Sequence, residues 1–140
     1  MSLEAHLARF GLQITPEDAD DIRAILHQQV QAERASQGDG DTELMRLCCV
    51  QLFGLGQLDD VLRIWEAKTA SFDTFGGFDM EYLLGAGLDA TKRFLAGHGS
   101  SEAQRALARI AECERAGNFD GYSPAKQMTF YERYYRVSST

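Results

Sequence analysis

Apolar positions recur at intervals of three and four along most of the chain, the spacing that lines one face of an α-helix. The densest pattern lies between Thr42 and Leu55. One stripe is Leu44, Leu47, Cys48, Leu52 and Leu55, and a second is Met45, Cys49, Leu52 and Phe53. Two stripes leave little polar surface, so this helix is expected to be buried on most sides. Asp41 or Thr42 is the expected N-cap, with Glu43 adding negative charge at the positive end of the helix dipole. Gly54 and Gly56 are expected to end it. A second helix is expected from about Leu58 to Ala70, on the stripe Leu58, Val61, Leu62, Trp65, Thr69 and Phe72. Asp59 and Asp60 fall in its first turn, and Arg63, Glu66 and Lys68 point away from the stripe. The glycine turn between the two is short enough to demand an antiparallel pair.

The flanking segments read the same way. Residues 3–10 form a short helix with Leu3, Leu7 and Phe10 on one side. Thr15-Pro16-Glu17-Asp18 is a helix start, with a capping hydroxyl, proline at the first helical position and then acids. That helix runs to about Ala35, with Ile22, Ile25, Leu26 and Val30 facing inward. Ser36–Gly40 is a polar linker. A helix over Met80–Ala96 carries Gly85 and Gly87, small residues that suit a helix crossing. Ser100 or Ser101 caps a helix to about Ala116, with Ala103, Ala106, Leu107, Ile110 and Cys113 inward. Ser123-Pro124 opens the last helix, where Phe130 pairs with Tyr134 and Tyr131 with Tyr135 at a spacing of four. One pair is expected to face the core and the other to be partly exposed. Between the helices lies Phe72-Asp73-Thr74-Phe75-Gly76-Gly77-Phe78-Asp79. Its two glycines predict an irregular connection, and Asp79 is a candidate cap for the next helix. Its phenylalanines either plug the core or anchor a partner.

The words Leu52-Phe53-Gly54-Leu55-Gly56-Gln57-Leu58-Asp59-Asp60-Val61-Leu62, followed by Trp65, resemble one tetratricopeptide-type helical hairpin over residues 42–72, about a fifth of the chain. The segment departs from that pattern at Cys49 and Lys68, where small residues are usual, and no proline follows the second helix. The resemblance implies stacked antiparallel helices. With the periodicity it gives the expected fold: one all-α domain over residues 1–140, six or seven helices packed as antiparallel hairpins, α-solenoid-like.

Charge narrows the function. The net charge is −7. Six basic and fifteen acidic residues give residues 1–81 a balance of −9, whereas residues 82–140 stand at +2. Such a surface repels nucleic-acid phosphates and attracts basic proteins. No basic start precedes an apolar run and no stretch of about 18 apolar residues occurs, so neither leader nor membrane span is expected. Three cysteines, with Cys48 and Cys49 adjacent, argue against a disulfide framework and for a reducing cytoplasm. His6, His27 and His98 lack metal-ligand spacing, and no phosphate loop or nucleophile motif is present, so no cofactor, metal or catalytic residue is assigned.

The expectation is a non-catalytic protein-binding module, a bacterial immunity (antitoxin-like) or adaptor protein acting on a basic partner protein. Its contact residues are expected to be Asp59, Asp60, Asp73 and Asp79, with Phe75 and Phe78 as apolar anchors. Homo-oligomerisation is expected through Tyr131 and Tyr135. The alternatives are a small-molecule sensor with a groove between helices, or a helical hydrolase-like enzyme using a pocket near Cys48, His27 or the Asp79 helix start.

Overall fold

The helix with two apolar stripes lies at the centre of the molecule. A computed structural model describes residues 2–137, and in it this helix, α3 (Thr42–Leu55), buries Leu44, Met45 and every residue from Leu47 to Phe53. The Asp41 carboxylate accepts the Leu44 N–H at 3.1 Å, so Asp41 rather than Thr42 is the cap. Gly56 closes the other end in the left-handed conformation, φ 68°, and donates to the carbonyls of Leu52 and Phe53.

Around α3 stand α1 (Leu3–Phe10), α2 (Ala19–Ala35), α4 (Val61–Lys68), α5 (Phe72–Gly77), α6 (Leu88–His98), α7 (Ser101–Arg115) and α8 (Pro124–Tyr135). Three 3-10 segments precede α2, α4 and α6. The fold is therefore all-α, with no strand among the described residues. No described helix is long and apolar enough to cross a membrane.

The most extensive packing partner of α3 is α2, not α4, and α6 with α7 forms the other main pair. The glycine turn joins α3 to α4, which α3 also contacts, but it does not make α4 the main partner. A six-residue connection between α2 and α3 allows the same antiparallel return. That connection is held by Glu33, a buried carboxylate. Its Oε1 accepts the Gly38 and Gly40 N–H groups at 3.0 and 3.1 Å, and its Oε2 accepts the Ser71 hydroxyl at 2.7 Å.

Three expectations need correction. First, the Gly76-Gly77 segment is helical, as α5. Ser71 and Thr74 exchange side-chain to backbone hydrogen bonds in a capping box, and Lys68 Nζ donates to the carbonyls of Phe75 and Phe78 at the far end. A cap contributes about 1 kcal/mol and charged hydrogen bonds about 1.5–3, enough to offset two glycines at about 1 kcal/mol each. Second, Met80–Ala96 is not one helix. A 3-10 turn over Met80–Leu84 breaks before α6 because Gly85 is pressed against α3, where a Cβ would lie 2.2 Å from the Phe53 carbonyl oxygen. Gly87, at φ 97°, turns the chain into α6. The crossing expected at these glycines is real but lies between helices. Asp79 makes no side-chain cap there. Third, Thr15 makes no cap bond, and α2 begins only after a 3-10 turn at Pro16–Asp18. Beyond these, His6 joins Phe10 as a buried residue of α1, because Gln51 on α3 meets its Nε2 at 2.9 Å and donates to the Gly11 carbonyl at 2.7 Å.

On α8 the two aromatic pairs separate as expected. Tyr131 and Tyr135 turn inward, and Phe130 and Tyr134 are more than half exposed. The proposed oligomer contact through Tyr131 is thus misplaced, since that ring packs edge-on against Phe53 at 5.3 Å in the core.

Candidate functional site

The six residues predicted to meet a partner do not form one patch. Asp60 is 1% exposed. Its carboxylate takes a bidentate pair of hydrogen bonds from Arg23, Nε to Oδ1 at 2.8 Å and Nη2 to Oδ2 at 2.9 Å, and a third from Arg63 at 3.1 Å. Asp60 therefore joins α2 to the start of α4 and is not a surface acid. Phe78 is also buried, under the Arg46 guanidinium and against Tyr82. Both are removed from the contact surface. An aspartate at a helix start and a phenylalanine beside glycines look the same in sequence whether they face water or core.

Asp59, Asp73, Phe75 and Asp79 do reach the surface. Asp59 lines a cleft of about 360 Å³ between α2 and α4, where Arg23, His27, Arg63, Glu66 and His98 also converge. Sharing Leu62 and Glu66, that cleft continues into a wider trough of about 800 Å³ running to Trp65, Phe75 and Arg105. Its charges are mixed, with Arg34 and Arg105 facing Glu66 and Glu102, so the trough is not an acidic channel. Trp65 on its floor donates its indole N–H to Glu102 at 2.9 Å, joining α4 to α7.

The distinctive surface lies where the trough meets α5. Phe72 is 86% exposed and Phe75 is 41% exposed. Three residues apart, they share a face of the short helix. The Phe75 ring lies close to two cations, Lys68 Nζ at 4.7 Å and Arg109 Cζ at 5.7 Å from its centre. Burial lowers the Lys68 pKa, and the charge of Arg109 lowers it further. The Glu33 carboxylate sets this corner. By binding Gly38, Gly40 and Ser71 at once, it brings the linker with Asp39 and Asp41 beside the start of α5 with Asp73. All three aspartates are exposed. Among the described residues no cation pairs with any of them, whereas Arg9, Arg23, Arg46 and Arg63 are engaged with other acids.

Sequence reasoning missed Phe72 as an exposed anchor, because it counted that ring in the α4 stripe. Ser71 followed by Thr74 was the available signal that a new helix starts there and turns Phe72 outward.

Elsewhere the chemistry is quiet. Cys48, Cys49 and Cys113 are free and buried. Burial, with Asp41 nearby, pushes the Cys48 thiol up to about 12, and burial raises Cys49 as well. No cluster of three or more metal-capable side chains occurs among the described residues. Compared with known proteins, the chain matches no protein-family model, no curated protein and no solved structure.

Proposed function

We propose that the chain is a non-catalytic protein-binding module whose docking face is the α5 corner, with Phe72 and Phe75 as anchors and Asp39, Asp41 and Asp73 as the charged rim. The partner is a protein with a basic surface around an apolar pocket. The observation that carries this reading is the 86% exposure of Phe72 amid unpaired aspartates. A phenylalanine in water leaves roughly 1.5–3 kcal/mol of burial unrealised, and such rings are the usual anchors of interfaces. Cation–π contacts of Phe75 with Lys68 and Arg109 order that ring in advance, which lowers the entropy lost on docking. The surrounding acids speed encounter with a basic protein and exclude acidic ones. A cytoplasmic adaptor or an antitoxin-like immunity protein is the role that suits such a surface.

The test is the affinity of the purified partner for the wild type, Phe72→Ser and the double variant Asp39→Asn/Asp73→Asn. Phe72→Ser is expected to weaken binding at least tenfold with little change in salt dependence. The double variant is expected to slow association and flatten the salt dependence. Unchanged affinity in Phe72→Ser rules out this face.

A further inference from the structure

A second cavity, of about 140 Å³, lies between α3, α8 and the 3-10 turn before α6. Its chemistry is one-sided. Tyr131 is 3% exposed, and its hydroxyl, with the Gln127 side chain beside it, makes no hydrogen bond of good geometry among the described residues. The Tyr135 hydroxyl is likewise buried without a hydrogen bond, and Arg46 Nε has no hydrogen bond and only a 4.0 Å ion-pair contact with Glu43. The other protein contacts of Arg46 are also loose: the Tyr82 hydroxyl at 3.4 Å and the Phe78 ring at 5.4 Å. Buried polar groups in folded proteins nearly always find partners, so three orphans around one cavity point to something that fills it.

Arg46 calls for an occupant that accepts hydrogen bonds, and a tyrosine hydroxyl can meet one by donating. A guanidinium carries five donors and no acceptor. Burial raises the ionisation of Tyr82, Tyr131 and Tyr135 far above the ordinary tyrosine value, so their hydroxyls stay protonated and able to donate. The walls are aromatic, with Phe130 and Tyr134 half exposed among them. The size matches one ring, since a cavity of about 150 Å³ holds benzene. Asp79 in the lining opposes every anion, and a dianion such as phosphate twice over, so Arg46 can offset a single negative charge at most.

We propose that this cavity binds a small planar aromatic monocarboxylate, with the carboxylate received by Arg46 and the hydroxyls of Tyr131 and Tyr135, and the ring between Phe130 and Tyr134. A planar guanidinium suits a carboxylate because two parallel N–H groups meet its two oxygens. This site is independent of the α5 corner, and either can fail alone.

The probe is sodium benzoate, titrated into the full chain and followed by protein amide NMR and calorimetry. Saturable one-to-one binding is expected with a Kd of about 1 mM or tighter, with shifts centred on α8 and the Arg46 turn. Tyr131→Phe and Tyr135→Phe each remove a buried hydroxyl that makes no good hydrogen bond in the fold, so they are expected to fold. Each is expected to weaken benzoate at least fivefold while leaving the amide shifts of the α5 corner as in the wild type. Tetramethylammonium and inorganic phosphate are expected not to saturate. Three outcomes overturn the assignment: no saturable benzoate binding, benzoate affinity unchanged in both tyrosine variants, or preferential binding of tetramethylammonium, which would make the cavity a cation cage.

Discussion

Asp60→Ala separates an acid that holds the fold from one that meets a partner. The side chain is 1% exposed and accepts three hydrogen bonds from two arginines. Breaking a buried ion pair by removing one partner costs about 3–5 kcal/mol when the remaining charge is stranded. Here the stranding is partial. The Arg23 side chain keeps 20% exposure and also bonds Asp20 and Gln57, and Arg63 is half exposed. The expected loss is therefore about 2–3 kcal/mol. For a chain of this length that lowers the Tm by roughly 8–12 °C. Chemical denaturation followed by Trp65 fluorescence measures it, with Asp59→Ala as the control, because Asp59 is its exposed neighbour and should stay within about 0.5 kcal/mol. A double-mutant cycle with Arg23→Ala should return a coupling of about 1–2 kcal/mol. If Asp60→Ala matched Asp59→Ala in stability, the reasoning that moves Asp60 from the surface into the fold would be refuted.

Two further outcomes follow from close contacts elsewhere. Gly85→Ala places a Cβ 2.2 Å from the Phe53 carbonyl oxygen, a backbone atom that cannot swing aside, and a loss of about 2–4 kcal/mol is expected; a Tm within 2 °C of wild type, against that expectation, would contradict the crossing. The Glu33 carboxylate is held below its ordinary value of 4.5 chiefly by the Ser71 hydroxyl, against an opposing push from burial and with help from the Gly38 and Gly40 amides. A depressed folded pKa means this stabilisation is present above about pH 4.5 and fades as pH falls through the folded value. Glu33→Gln should therefore cost about 2 kcal/mol at pH 7 and less at pH 3; an equal loss at both pH values would show that ionisation of Glu33 does not matter.

The all-α class and the start and end of most helices were legible because they depend on short-range chemistry. Asp41, Ser100 and Ser123 cap as their positions suggest, and the double stripe of α3 identified the central helix. Burial of individual polar or aromatic residues was not legible, because it depends on what another segment brings. Asp60 is inside because Arg23, thirty-seven residues earlier, reaches it. Phe78 is inside because Arg46 and Tyr82 cover it, while Phe72 is outside because Ser71 starts a new helix. The tyrosine cavity needed the three-dimensional meeting of α3 and α8, two segments far apart in the chain.

Site-specific photocrosslinking tests the docking face most directly. A benzophenone side chain replaces Phe72 in one sample and Phe130 in another, and both are irradiated in lysate of the source cells. The account predicts one dominant adduct from position 72, with a basic protein, fading as salt rises and absent from position 130. The captured protein, once purified, should bind the wild type and lose at least tenfold affinity for Phe72→Ser. No adduct from position 72, or a captured protein whose affinity ignores Phe72→Ser, would contradict it.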